Sequence, residues 1–350
     1  MSLKTPDRRL VIAGLAASAA ALPARAEAPK PYAVTDDLVA AAKKEGTVTF
    51  YTSTDVAVAE KIAAAFEAKY AIKVKVERSG SERVFQRIMQ EYGSNIFNAD
   101  VIETSDAVNF LVLKSKQWIQ QALPEEVAKD WPKEAKDPDG YFAAYRAHCS
   151  VMGYNTRQVK TEDTPKSYQD LLAAKWKGRI VKAHPGYSGT IMTATDVLSN
   201  LLGWDYFEKL GQQRVMQVQS STEPPKKLAQ GERSIQADGN EYNMFILKET
   251  GVPVEVIYPT EGTVITVGHG AMLKTPPHPN AAKLFYSFMY DKETQQLLSD
   301  IGGLRSFHPG VKEKEDRKPL SQIKLLWSDP AKLEPRVEEI KKKYEQFFGV

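Results

Sequence analysis

The feature that most constrains the fold is a strand–turn–helix unit that occurs several times along the chain. Thr47–Thr52 is a β-branched and aromatic run typical of a strand, and the small polar turn Ser53-Thr54-Asp55 separates it from a helical pattern over 56–70. The same pattern follows over 73–92 and starts again at residue 100. Consecutive units of this kind need right-handed crossovers, which place parallel strands in one sheet with helices on its faces. The sequence therefore predicts an α/β fold.

The pattern restarts in the second half of the chain. Further strand-like runs end near residues 181, 218, 237 and 258. Two extended runs, 148–155 and 263–268, are predicted to carry the chain between two lobes, since 350 residues exceed what one core usually organises. We predict lobe 1 from residues 31–150 and 263–310, lobe 2 from 151–262, and a helical C-terminal tail over 311–350.

The first 26 residues have the pattern of a signal peptide. Lys4, Arg8 and Arg9 precede the apolar run Leu10–Leu22, and Ala24-Arg25-Ala26 supplies the small residues of a cleavage site. The apolar run is shorter than the roughly 20 residues that cross a bilayer. We therefore expect a periplasmic protein without a membrane span, exported by the general secretory (Sec) or the twin-arginine route.

Charge and cysteine content exclude other classes of protein. Removing residues 1–26 takes four of the 47 basic residues and one of the 44 acidic residues, which leaves 43 of each. A neutral chain without a basic stripe is not expected to bind nucleic acid. Cys149 is the only cysteine, so no intrachain disulfide can form, and we expect it to be a buried strand thiol.

Small hydroxyl or glycine turns follow six predicted strands, three in each half. Ligands bind at the carboxyl ends of parallel strands, and free N–H groups at helix N-termini bind polar or anionic groups. These residue types are also ordinary helix caps, so their distribution over two halves, more than any one turn, predicts a cleft. The candidate ligand-binding residues are Ser53, Thr54, Ser81, Arg83, Thr104, Ser188, Gly189, Thr190, Ser221, Glu241 and Tyr242.

Several segments together resemble the periplasmic solute-binding proteins of ABC importers, in the extracellular solute-binding family 1 group that contains ferric-iron-binding proteins. They include EGTVTFYTSTD (45–55), MGYNTRQV (152–159), WKGRIVKAHPGYSGT (176–190) and KKLAQGERSIQADGNEYNMF (226–245). The resemblance implies a type II periplasmic-binding-protein-like fold, in which two lobes with mixed, mainly parallel sheets are joined by a two-strand hinge. It also implies a monomer that passes a small-molecule ligand to the permease without acting on it chemically, and hence no enzyme.

The resemblance to the iron-binding members is incomplete. Those proteins carry a consecutive tyrosine pair that supplies ligands to ferric iron, and the matching site here is Glu241-Tyr242. Ser53-Thr54 stands where many of them have a histidine. We therefore expect a small polar or anionic organic solute, with no metal and no cofactor. The alternative is a ferric ion bound as the ligand by Glu241 and Tyr242 with a synergistic anion.

Charged residues near the turns leave two further questions open. Arg83 favours a phosphate or carboxylate, whereas Glu103, Asp106, Asp238 and Glu241 either select an amine or cap helices. Glu103 and Glu241 are also candidates for the acid and base of an extracytoplasmic hydrolase. The sequence contains no Gly-x-Ser-x-Gly or His-Glu-x-x-His motif that would support hydrolysis.

Overall fold

The computed structural model describes residues 28–350, so the signal peptide predicted over residues 1–26 lies outside the described residues. The strands are β1 (Thr47–Thr52), β2 (Lys73–Arg78), β3 (Val101–Thr104), β4 (Ala143–Ser150), β5 (Met152–Asn155), β6 (Ile180–Ala183), β7 (Met216–Val218), β8 (Ile235–Gln236), β9 (Val254–Ile257), β10 (Thr263–Met272) and β11 (Leu325–Leu326). The helices are α1 (Asp36–Glu45), α2 (Val56–Tyr70), α3 (Ser81–Gly93), α4 (Ala107–Ser115), α5 (Glu125–Asp130), α6 (Gly189–Leu202), α7 (Trp204–Gly211), α8 (Glu223–Ala229), α9 (Glu241–Glu249), α10 (Pro279–Tyr290), α11 (Lys292–Gly302), α12 (Pro330–Leu333) and α13 (Val337–Phe348).

These strands form two mixed sheets, which we call sheet 1 and sheet 2. Sheet 1 has the order β11-β10-β3-β1-β2, and β4 also pairs with β10. Sheet 2 has the order β7-β6-β8-β5-β9. In each sheet the strand–turn–helix units contribute parallel pairs, and returning strands such as β10 and β5 pair in the antiparallel direction. The prediction of an α/β protein with two mixed sheets flanked by helices is confirmed.

Each sheet has its own hydrophobic core. In lobe 1, Phe50 of β1 packs against Phe285 of α10 with ring centroids 5.1 Å apart, and Phe66 of α2 contacts the same ring at 5.0 Å. In lobe 2, the buried side chains of Trp176 and Phe207 belong to a separate cluster. Separate cores of this kind allow two lobes to move as units, and Tyr242 of α9 is a residue of lobe 2 that packs into the lobe 1 cluster.

The chain passes between the sheets at two places. Val151, which is fully buried, separates β4 of sheet 1 from β5 of sheet 2. Residues 258–262 lead back from β9 to β10. β4 and β10 run antiparallel, with Cys149 opposite Ile265, so the two connections lie side by side. Cys149 is buried in β4 as predicted, although this strand already begins at Ala143, before the predicted run.

The C-terminal segment contacts both lobes. β11 adds a short parallel strand to sheet 1 beside β10, which the prediction of a helical tail over 311–350 does not include. Beyond it, Arg336 donates hydrogen bonds to Asp196 and Ser199 of α6, and the Tyr344 hydroxyl donates to the carbonyl of Ala183 at 3.2 Å. Within residues 28–350, every helix is too short or too polar to cross a membrane.

Candidate functional site

The turns at the carboxyl ends of the two sheets face and touch each other. The Ser81 hydroxyl, at the start of α3, accepts a hydrogen bond from the Gly189 N–H at the start of α6 (2.8 Å). The Asp55 N–H, after β1, donates to the hydroxyl of Tyr242 in α9 (3.2 Å). The Asn243 amide also donates to the Asp55 carboxylate at 3.2 Å. These contacts define a closed cleft between the lobes.

Two glycines allow the lobes to approach this closely. A Cβ atom on Gly189 would lie 2.5 Å from Cβ of Asp106 in the opposite lobe. A Cβ atom on Gly80 would lie 2.9 Å from the carbonyl oxygen of Tyr187. Both distances are shorter than a normal van der Waals contact, so a side chain at either position would push the lobes apart.

A buried ion pair forms the floor of the cleft in lobe 1. The guanidinium of Arg146 lies 3.0 Å from the Glu103 carboxylate, and both side chains are almost completely excluded from solvent. The Thr52 and Thr54 hydroxyls donate to the second carboxylate oxygen at 2.6 and 2.9 Å. Arg146 Nε in turn donates to Thr54 Oγ1 at 2.7 Å. The charge of Glu103 is therefore neutralised within the protein.

Two of the other carboxylates named in the sequence analysis, those of Asp238 and Glu241, are also paired with cations. Asp238 pairs with Lys182 at 2.6 Å, and both side chains are buried. Glu241 pairs with Arg305 at 2.9 Å and accepts a hydrogen bond from the Tyr258 hydroxyl.

Among residues 28–350, no cation lies within ion-pair distance of Asp106, which instead caps α4. Its carboxylate accepts the Val108 N–H at 3.1 Å. Burial, with a smaller contribution from Glu82, raises the pKa of Asp106 to about 6.

Arg78 and Arg83 differ from these cations because neither lies within ion-pair distance of a carboxylate in the described part of the chain. Arg78 donates to the Thr54 carbonyl at 3.2 Å and across the cleft to the Ser220 hydroxyl at 3.1 Å. Arg83 donates to the amide oxygen of Gln219. Both arginines line a polar cavity of 170 Å³ at the cleft mouth. Its other lining residues are Ser79, Gly80, Tyr187, Gln219, Ser220 and Glu223.

The structure brings several predicted ligand-binding residues into the cleft. Ser81, Gly189 and Tyr242 make the contacts between lobes described above, and Thr190 contacts lobe 1 through its hydroxyl. Ser53 accepts a hydrogen bond from the Ser105 N–H at 3.1 Å. Arg83 lines the cavity at the mouth.

The side chains of the remaining predicted hydroxyl residues make no hydrogen bond between the lobes in the described part of the chain. The Thr54 hydroxyl both donates and accepts within the ion-pair network. Thr104, Ser188 and Ser221 are buried at the ends of strands and turns, and none of their hydroxyls has a hydrogen-bond partner among residues 28–350. The Glu241 carboxylate is held by Arg305 and Tyr258, whereas the neighbouring Tyr242 hydroxyl meets Asp55.

The two residues of the alternative metal site therefore have different partners. Burial raises the pKa of Tyr242 to about 12, although the nearby Arg146 cation opposes this effect. Its hydroxyl accepts the Asp55 N–H, and Glu241 is already paired with a cation. A ferric ion would need phenolate and carboxylate ligands that are deprotonated and turned towards one point.

Sequence reasoning missed several residues of the cleft, among them Arg78, Arg146 and His148. A signal for the last two is present, because Arg146, His148 and Ser150 alternate along the otherwise apolar β4 and must share one face of the sheet. Polar residues on a buried strand face indicate a site or an internal ion pair. Arg78 is the last residue of β2 and directly precedes the turn Ser79-Gly80-Ser81.

Comparison with known proteins gives a consistent result. Residues 98–334 match the family described as bacterial extracellular solute-binding protein. The major ferric iron-binding protein of Neisseria meningitidis (serogroup A) is 23% identical over 309 residues, which cover 82% of this chain and 88% of that protein.

Two solved structures share the fold. The periplasmic binding protein AfuA from Actinobacillus pleuropneumoniae, with exogenous fructose-6-phosphate bound, superposes with a TM-score of 0.79 at 26% identity, covering 87% of this chain and 99% of AfuA. Iron-bound HitA from Pseudomonas aeruginosa gives a TM-score of 0.73 at 25% identity, covering 86% of this chain and 99% of HitA. The predicted periplasmic-binding-protein-like fold is therefore confirmed.

Proposed function

This chain belongs to the bacterial extracellular solute-binding proteins, and on that basis we propose that it captures a small anionic organic solute between its lobes. The family implies a periplasmic protein that hands a solute to the transmembrane subunits of an ABC importer. The relatives include an iron-bound protein and one with a sugar phosphate bound, so the class of solute must be argued from the cleft itself.

The observation that carries the proposal is the excess of positive charge at the cleft mouth, where Arg78 and Arg83 line a cavity whose lining contains one carboxylate, that of Glu223. Glu103, Asp238 and Glu241 each have a cationic partner, whereas Arg78 and Arg83 have no carboxylate partner in the described chain. An arginine without a counter-ion at a polar cavity favours phosphate or carboxylate, which match its fork of N–H donors. Helices that begin at the cleft direct the positive ends of their dipoles towards it, and this also favours an anionic ligand.

The same observations weigh against the two alternatives. A ferric ion would have to displace Arg305 and Tyr258 from Glu241, and the single matching tyrosine leaves its ligand set incomplete. Hydrolysis by Glu103 and Glu241 would need one carboxylate to act as an acid and the other as a base. Both are engaged with arginine, and the relatives named above are binding proteins. We propose that the protein binds its solute as a monomer, without a cofactor and without chemical change.

A thermal-shift screen tests the proposal. The panel contains fructose 6-phosphate, a phosphonate, citrate, spermidine and ferric chloride. We expect an organic anion to raise the melting temperature most, because a ligand at about a hundred times its Kd stabilises the folded state by about 2.7 kcal/mol. Strongest stabilisation by spermidine, or by ferric ion with visible phenolate-to-iron absorption, would contradict the proposal.

Closure of the lobes on the solute gives a second prediction. Gly189→Ala is expected to weaken binding of the stabilising anion by about tenfold or more, about 1.4 kcal/mol, because its Cβ atom would clash with Asp106 only when the lobes close. Gly93→Ala is the matched control, since a Cβ atom there meets no atom within 4 Å. Calorimetric titration measures both, and equal affinities in the two variants would contradict the closed cleft as the binding state.

A further inference from the structure

His148 lies between the buried ion pair of lobe 1 and the first helix of lobe 2. Its Nδ1 atom is 3.0 Å from a terminal nitrogen of Arg146, and its Nε2 atom is 3.1 Å from Thr190 Oγ1. The ring is 1% exposed and packs edge-on against Tyr242, with ring centroids 5.7 Å apart. His148 is therefore a polar link that crosses the cleft floor from one lobe to the other.

The chemistry of the partners fixes where the protons lie. A guanidinium group has only N–H donors, so Nδ1 of His148 must accept the hydrogen bond from Arg146. A neutral ring then carries its proton on Nε2, which donates to Thr190 Oγ1. The Thr190 oxygen is thus used as an acceptor. Its own proton has no other partner among residues 28–350.

We propose that His148 is a positioning residue that holds the Thr190 hydroxyl as a hydrogen-bond donor towards the bound solute. This inference rests on the proposed function, and it adds that the solute presents an acceptor oxygen, as phosphate or carboxylate does, at the start of α6. The Thr190 N–H lies in the first turn of the same helix, where backbone donors have no partner within the helix. An ammonium group can only donate hydrogen bonds. It would be unfavourable beside the Thr190 hydroxyl and the Thr190 N–H, which are also donors.

A charged His148 would disrupt this arrangement. Arg146 lies beside the ring on the same strand and is already paired with Glu103, and within the described chain no carboxylate lies within ion-pair distance of His148 to balance a second buried cation. From the helix side, the Tyr242 ring and the Asn240 amide face the imidazole. Burial and the Arg146 charge hold the pKa of His148 well below its ordinary value, against a smaller opposing effect of Asn240.

Nitrogen NMR of the histidine rings in the full chain, recorded without solute and with fructose 6-phosphate, tests the proton positions. The His148 signals are assigned by their loss in His148→Gln. We expect a neutral ring with the proton on Nε2 from about pH 8 to about pH 5.5, a range that spans the ordinary histidine pKa near 6.5. Thr190→Val should shift the Nε2–H signal and speed its exchange with water, and Thr190→Ser should restore both. A proton on Nδ1, or a charged ring within this range, would overturn the inference.

The second part of the test measures the affinity of the Thr190 variants for fructose 6-phosphate. Thr190→Val is expected to bind it about tenfold more weakly than Thr190→Ser, because only serine keeps the hydroxyl donor. Equal affinities in the two variants would overturn the donor role of Thr190. A wild-type protein that binds no fructose 6-phosphate, but has the expected tautomer, would count against the proposed function and leave the proton positions established.

Discussion

Replacing Arg146 with methionine is expected to lower the free energy of unfolding by about 3–5 kcal/mol. The substitution would leave the Glu103 carboxylate, which is completely buried, without its cation. It would also remove the hydrogen bond from Arg146 to Thr54 and the one to His148. Urea unfolding at neutral pH, followed by circular dichroism, measures the loss.

Two controls separate this effect from a general loss of charge or volume. The double variant Arg146→Met, Glu103→Gln is expected to recover most of the lost stability, because a neutral amide is easier to bury than an unpaired carboxylate. Lys73→Met breaks an exposed pair with Glu67 and should change stability by less than about 1 kcal/mol. An Arg146→Met protein within about 1 kcal/mol of the wild type would show that the pair does not hold the cleft floor together.

Much of the fold follows from local patterns in the sequence. The run from Thr47 to Thr104 was predictable because each strand, its small polar turn and the amphipathic helix that follows lie next to one another along the chain. The repetition of this pattern in the second half predicted two lobes for the same reason. Strands such as β11, which has only two residues, carry no pattern of their own and form because β10 offers a free edge.

The cleft was predictable only in part, because partners far apart in sequence decide what each side chain can do. Glu241 and Tyr242 are neighbours in α9, but successive helical residues point about 100° apart, so one meets Arg305 and the other meets Asp55. Similarly, nothing in the sequence near Glu103 reveals that Arg146, 43 residues later, neutralises it.

Arg78→Gln is expected to weaken binding of the anionic solute by about 10- to 100-fold, or about 1.4–2.7 kcal/mol. A hydrogen bond to a charged group contributes about 1.5–3 kcal/mol, and Arg78 is a cleft cation that no carboxylate of the described chain neutralises. Glutamine keeps a hydrogen-bond donor on a shorter side chain and removes the charge. The Arg78 hydrogen bonds to the Thr54 carbonyl and the Ser220 hydroxyl are modest, so the unliganded protein should unfold near its normal temperature.

Calorimetric titration of wild type, Arg78→Gln and Arg157→Gln with the anion that stabilises the protein most is the decisive measurement. Arg157 is an exposed arginine just after β5, so its variant removes the same charge away from the cavity at the cleft mouth. We predict a 10- to 100-fold higher Kd for Arg78→Gln (about 1.4–2.7 kcal/mol) and an unchanged Kd for Arg157→Gln. Equal Kd values for all three proteins would contradict an anion-binding cleft built around Arg78.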